Sequence, residues 1–183
     1  MKEIDAERKR IQRGIYFRRA LTSTVSVLIV VAAIAVLTVT LFLPILQISG
    51  DSMSPELQHD EIIVLVKSGK IQRGDIIGFY YQGKILLKRV IALPNDVVVI
   101  DADGYVYINE ERLDEPYVSD RSLGNCDLAF PYTVPEDGLF VMGDRRKNSV
   151  DSRSSTIGCI KSEDIIGKVF LRVWPLNKLG LLP

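Results

Sequence analysis

"ALTSTVSVLIVVAAIAVLTVTLFLPILQISG", residues 20–50, contains no Asp, Glu, Lys or Arg. Its core from Leu21 to Leu43 is long enough to cross roughly 30 Å of hydrocarbon as one helix. The Thr and Ser residues inside it are tolerated because their hydroxyls can bond back to the helix's own carbonyls. A cleavable signal peptide has an apolar region of about 7–15 residues, and this one is much longer. Pro44 is a natural place for the span to end, since proline has no backbone N–H to continue a helix. This stretch therefore divides the chain into an anchor and whatever follows it.

On its N-terminal side, residues 1–19 carry Lys2, Arg8, Lys9, Arg10, Arg13, Arg18 and Arg19 against Glu3, Asp5 and Glu7. A basic flank on this side places the N-terminus in the cytoplasm and the rest of the chain across the membrane. The expected organisation is a cytoplasmic basic segment (1–19), a transmembrane helix (20–44) and an extracytoplasmic domain (45–183). The 183 residues balance to a formal charge of zero, which argues against nucleic acid as a partner.

Beyond the span the chain is rich in β-branched and aromatic runs. They are "EIIVLVK" (61–67), "DIIGFYYQ" (75–82), "KILLKRVIAL" (84–93), "DVVVID" (96–101), "YVYINEERL" (105–113), "GLFVMGD" (138–144) and "GKVFLRVWPL" (167–176). "ADG" (102–104) predicts a hairpin, and "LPND", "YQGK" and "PEDG" predict turns. "SPEL" (54–57) can open a short helical turn with Ser54 as N-cap and Pro55 at its first position, and "SEDII" (162–166) can open another. The stretch 115–136 has no regular pattern and predicts a long loop. The fold class expected is mainly β, after one membrane helix.

Chemistry narrows quickly. Two cysteines, Cys126 and Cys159, and a single histidine cannot assemble an ordinary zinc site. No metal or cofactor is expected. The cysteines allow either a disulfide or two separate thiols. Serine is abundant after the span, in "SGDSMSPEL" (49–57), and a serine nucleophile needs a base. His59 follows Ser52 in a polar turn beside Asp60 and Glu61, which reads as a solvated histidine. The other available base is a lysine whose pKa burial has lowered. Lys88 qualifies, because in "ILLKRVIAL" both strand faces are apolar. Alternation alone does not say whether Lys88 or its neighbour Arg89 points inward. An edge strand with both cations reaching out to water is the competing reading.

Four segments in order resemble the conserved boxes of type I signal peptidases. "SGDSMSPEL" is similar to the nucleophile box, "RGDII" (73–77) to the strand after it, "KRVIALPND" (88–96) to the lysine box, and "GDRRKNSVDSR" (143–153) to the last box. The tail "IGKVFLRVWPLNKLG" also resembles the family's end, and the span resembles its membrane anchor. The resemblance implies Ser52 as nucleophile, Lys88 as general base and Ser149 as the serine that hydrogen-bonds the lysine. It also implies Asp151 and Arg153 as a supporting pair, with Asp144 and Arg146 in structural positions. Ile48, Met53, Leu57, Leu86 and Leu87 become candidate walls of shallow pockets for small residues. The implied partners are the lipid bilayer and secreted preproteins with small residues before the cut.

Three positions depart from the family pattern. Arg145 stands where Asn is usual, and Glu56 where Thr is usual. Gly50, as in many Gram-positive members, stands where others place an oxyanion-binding serine, so the oxyanion must rely on the Ser52 backbone N–H. The short interval between Pro94 and Gly143 implies the compact form of the fold. Two other classes compete. A soluble Ser-Lys autoprotease of the LexA type shares the β-fold but carries a helix-turn-helix where this chain has its span. A specialised or inactive anchored β-module would be expected to lack Ser52 or Lys88, and both are present.

Overall fold

The computed structural model describes residues 2–67 and 69–182, with side chains described for residues 16–38 and from residue 43 onward within those ranges. The chain divides into two compact units, Met1–Phe42 and Leu43–Pro183.

The first unit is one helix, α1 (Lys2–Phe42). It takes in the basic segment as well as the apolar one. Within it, Tyr16–Thr38 is a 23-residue stretch long and apolar enough to span a membrane. At ~1.5 Å per residue that is about 35 Å, enough for the hydrocarbon core. Its side chains are exposed throughout, so no protein core accounts for their apolar character. The hydroxyls of Thr22, Thr24 and Thr38 donate to the carbonyls of Arg19, Ala20 and Ile34 at 3.0, 2.9 and 2.8 Å. The helix stops at Phe42, just before Leu43, whose α conformation is disfavoured by the following Pro44.

The second unit is built from antiparallel strands: β1 (Ile45–Gln47), β2 (Ile62–Val66), β3 (Ile76–Tyr81), β4 (Lys84–Ala92), β5 (Val97–Ile100), β6 (Val106–Ile108), β7 (Glu111–Arg112), β8 (Tyr132–Thr133), β9 (Gly138–Met142), β10 (Ile160–Lys161), β11 (Ile165–Trp174) and β12 (Gly180–Leu181). The larger sheet runs β1-β2-β11-β3-β4-β9-β10, with β12 on β11, and the smaller runs β7-β6-β5-β8. One core holds the sheets together through Ile91, Ala92, Val98, Ile100, Val106, Phe140 and Met142. A second lies under residues 48–57, where Met53 and Leu57 meet Ile63, Leu65, Ile76 and Val169.

β4 is the pivotal element. Its side nearest the chain's start is exposed at Lys84 and Ile85, and everything from Lys88 to Ala92 is buried. β3 pairs with residues 84–89 of it, from Tyr81↔Lys84 to Ile76↔Arg89. On the other side β9 pairs only from Arg89 onward, through Arg89↔Met142, Val90↔Val141 and Ala92↔Phe140. Residues 84–88 therefore keep one open edge among the described residues, inside an otherwise central strand. The edge-strand reading, with both cations reaching for water, does not hold: Lys88 and Arg89 are each 3% exposed.

Two local expectations are corrected, at residues 105–113 and 51–57, and the short turn expected at 162–166 is present. Residues 105–113 are a hairpin of β6 and β7 and not one strand, because Asn109 and Glu110 turn the chain at φ 52 and 73. Asn tolerates that region, but Glu rarely does, which hid the turn. Residues 51–57 form consecutive turns and not a capped helix; Leu57 N–H bonds Met53 O at 2.9 Å and Ser54 N–H bonds Asp51 O at 3.0 Å. Glu56 consequently meets no helix dipole and pairs with Arg172 instead. "SEDII" gives a single short turn at Ser162–Asp164, and β11 starts right after it, at Ile165. The loop 115–136 is irregular as expected, apart from β8, which joins β5. Cys126 and Cys159 are both free and half-buried.

Candidate active site

Residues 48–57, which carry Ser52, are fixed from both ends. Ile48 continues the β1–β2 pairing, with its N–H on Glu61 O at 2.8 Å and its carbonyl accepting from Asp60 N–H at 2.9 Å. Gly50 then turns the chain at φ +102, a conformation a side chain would strain. Its N–H donates to His59 Nδ1 at 3.1 Å. Beyond the turn, Met53 and Leu57 drop into the core. Ser52 is left at the rim, its carbonyl accepting from Arg145 N–H at 3.0 Å. Its own N–H has no partner among the described residues.

β4 brings Lys88 to the same place. Lys88 Nζ lies 2.8 Å from Ser52 Oγ, a hydrogen bond across a sequence separation of 36 residues. Burial lowers the Lys88 pKa; the positive charge of Arg153 pushes the same way, and the carboxylates of Asp151 and Asp144 oppose it. A lysine so placed can lose its proton within reach of a hydroxyl.

The last box packs behind this pair. Gly143 N–H donates to Asp151 Oδ2 at 2.9 Å, and Arg153 clasps both Asp151 oxygens through Nε at 2.8 Å and Nη2 at 2.9 Å. Burial pushes the Asp151 carboxyl up, but the Arg153 guanidinium, the nearby Ser149 hydroxyl and the Gly143 N–H outweigh it and hold it below the usual range. Arg153 also donates to Leu123 O and Arg146 O, each at 2.8 Å. Ser149 is corrected in one respect. Its hydroxyl does not bond Lys88: it is buried against Gly143 and close to Asp151, with no hydrogen bond of good geometry.

Arg89, on the opposite face of β4 from Lys88, is absorbed structurally. Its Nε and Nη2 hold Asp144 at 2.8 and 2.7 Å, its Nη1 donates to Gly74 O at 2.8 Å, and its guanidinium stacks 4.1 Å from the Tyr117 ring. Arg146 is fully buried against Glu115, at 2.5 Å. Glu115 and Tyr117 are the residues that sequence reasoning missed, in a loop without pattern. A signal was present: residues 143–153 carry Arg145, Arg146, Lys147 and Arg153 against only Asp144 and Asp151. The buried cations of this box are Arg146 and Arg153; Asp151 serves Arg153 and Asp144 is taken by Arg89, so Arg146 needs an acid from elsewhere. Glu115 is that acid. Exposed Arg145 pairs with Asp51 at the surface. Arg145, despite replacing the usual Asn, keeps the loop closed through its backbone N–H on Ser52 and its carbonyl on Asn148 N–H at 3.2 Å.

A groove of about 530 Å³ leads to the pair, lined by residues 46–50 with Ser52 and Met53 on one side and 84–88 on the other. Ile48, Met53, Leu86 and Leu87 are among its walls. Leu57 is not; it is wholly buried in the core beneath. Among the described residues His59 bonds neither Ser52 nor Lys88; it is 62% exposed, with Nε2 3.5 Å from Asp60. It is more than a solvated turn residue, since its ring holds the Gly50 turn.

Comparison with known proteins gives the family. The family described as "Signal peptidase, peptidase S26" matches residues 21–174. The chain belongs to the signal peptidase family. Signal peptidase I of Streptococcus pneumoniae is 31% identical over 173 residues, covering 73% of this chain and 83% of that protein. Signal peptidase I U of Bacillus subtilis is 34% identical over 166 residues, covering 84% and 87%. A crystal structure of a signal peptidase I from Enterococcus faecalis is 34% identical, covering 55% of this chain and 97% of that one, with a TM-score of 0.46. As a signal peptidase, the protein is a serine endopeptidase that cleaves signal peptides.

Proposed function

We propose that this signal peptidase cuts by a Ser52–Lys88 dyad, on the extracytoplasmic side of the membrane that α1 anchors. The observation that carries the reading is the 2.8 Å bond between Lys88 Nζ and Ser52 Oγ at the end of a groove. Neutral Lys88 takes the Ser52 proton as Oγ attacks the scissile carbonyl. The Ser52 N–H, free of other partners among the described residues, donates to the oxyanion. The resulting ammonium then returns its proton to the leaving amine. Water, deprotonated by the same lysine, releases the acyl group and restores Ser52.

The substrate enters as a strand. The open edge of β4 at 84–88 and the segment 46–50 flank the groove, so an extended peptide can add main chain to main chain. Ile48, Met53, Leu86 and Leu87 leave room for small side chains just before the cut. The partners are preproteins held in the same bilayer by their own signal peptides. The basic N-terminus supports a cytoplasmic start and a single pass through the cell membrane.

The test uses detergent-solubilised full chain and a preprotein carrying Ala-x-Ala, with N-terminal sequencing of the product. Ser52→Ala and Lys88→Arg should each abolish cleavage, the latter because a guanidinium stays protonated. His59→Ala should retain most activity. Substantial cleavage by Lys88→Arg would remove Lys88 as the base. Protease added to intact spheroplasts should digest residues beyond 50 and spare residues 1–19; the reverse pattern would overturn the orientation.

A further inference from the structure

The groove has a defined end. A peptide strand lying on β4 can follow its open edge only as far as Lys88, because β9 occupies that edge from Arg89↔Met142 onward. The chain leaving β9 continues through Gly143 and Asp144 to Arg145. A substrate whose upstream residues fill the groove must therefore lift off the sheet at Ser52 and pass over the surface formed by residues 51 and 145. This statement of direction rests on the reading of the groove given above.

Most charges around this exit are committed elsewhere. Asp144 is held by Arg89, Arg146 by Glu115, Arg153 by Asp151, and Glu56 by Arg172. What faces the exit is Arg145, its side chain 44% exposed, and Asp51, 57% exposed. Their ion pair uses a single guanidinium nitrogen, Nη1, on a single carboxylate oxygen, Oδ2. The Nε and Nη2 donors of Arg145 have no acceptor among the described residues. Exposed Lys147 adds a second cation two residues on. A guanidinium can hold two carboxylates at once through its forked donors.

We propose that the Arg145–Asp51 pair reads the first residues of the mature chain, those after the cut, and favours acidic side chains there over basic ones. Asp51 orients the guanidinium and moderates its charge. Arg145 offers its remaining donors to an incoming Asp or Glu. A surface pair of this kind changes kcat/KM by about two- to fivefold.

The experiment measures kcat/KM for three peptides that share one Ala-x-Ala segment and differ only at the second residue after the cut: Glu, Gln or Lys. The full chain should prefer them in that order, and 1 M salt should compress the differences. Arg145→Asn should bring the Glu-to-Lys ratio close to one, while Asp51→Asn should raise it. A merely structural role for either side chain would slow all three peptides alike and leave the ratio unmoved. Cleavage of the Gln peptide with equal rates for all three overturns this proposal alone. No cleavage of the Gln peptide overturns the reading of the groove, and this proposal with it.

Discussion

Lys88 is stored at a cost, and the cost has a sign. Burial lowers its pKa below the ordinary 10.5. Between the lowered value and 10.5, the unfolded chain binds a proton that the folded one refuses. Stability therefore rises with pH across that window, and below it the full penalty of a buried charge is present. Lys88→Met, which fills the same space without a charge, should raise the melting temperature most below the lowered pKa, and the gain should vanish as pH approaches 10.5. Melting curves of wild type and variant across pH check this; a gain that grows with pH would contradict it. With Lys88 as the proposed base, kcat/KM should rise with pH through a limb lying below the pKa of a free lysine. Arg153 is coupled to both. Arg153→Met strips a neighbouring cation from Lys88 and leaves Asp151 buried without a counter-ion, at about 3–5 kcal/mol. Its basic limb should move to higher pH and its urea midpoint should fall. Arg153→Lys, which restores the charge, should return the limb most of the way.

The site is made by three segments that touch only because of strand register. β4 carries Lys88, the turns after β1 carry Ser52, and the segment after β9 carries Gly143 and Arg145. Their contact is tight enough that one methyl group tests it. A Cβ on Gly143 would lie 2.3 Å from Ser149 Oγ, 2.6 Å from Ser149 Cβ and 2.7 Å from Ser52 O. None of these is the free end of a flexible chain. Gly143→Ala must therefore push the last box away from the nucleophile. The expected result is a loss of about 1–3 kcal/mol, as for other overpacked sites, and a fall in kcat far larger than any change in KM. Denaturant unfolding and steady-state kinetics on one preparation decide it; unchanged kcat would mean that the box and nucleophile move independently. At this scale the sequence was readable where pattern and chemistry coincide. The apolar runs became strands, and "ADG" became the β5–β6 turn. Lys88 and Ser52 could be paired only through the family resemblance, because alternation places Lys88 and Arg89 on opposite faces without saying which face holds the nucleophile. The need for an acid beside Arg146 was legible, but that Glu115 fills it was not, since it comes from a loop without periodicity. The Asn109–Glu110 turn was illegible since nothing marks Glu for a positive φ. Ser149 was legible as a buried member of the site, but its rotamer depends on the Gly143 backbone, and no pattern encodes that.

Over the whole molecule, the two units differ in what they bury. The apolar residues of Tyr16–Thr38 in α1 are exposed, while residues 43–183 bury three apolar clusters within themselves. The second unit should therefore fold without the first. The groove and the Ser52–Lys88 pair lie wholly within it, so residues 43–183 alone should cleave a short soluble peptide carrying Ala-x-Ala at close to the full-chain rate. A preprotein in a vesicle is a different case. When enzyme and substrate are both held in one bilayer, their encounter is confined to a thin layer, and effective concentration rises without any new contact. Tethering of this kind contributes factors of about 10²–10⁴. Cleavage of a vesicle-inserted preprotein should thus fall by at least about 10² when residues 1–42 are removed, with peptide cleavage little changed. The measurement is kcat/KM for both substrates with both forms of the enzyme. Parallel loss on both substrates would mean that α1 is needed to build the site. No loss on either would mean that the span contributes nothing to finding the substrate, and the proposed role of the anchor would have to be given up.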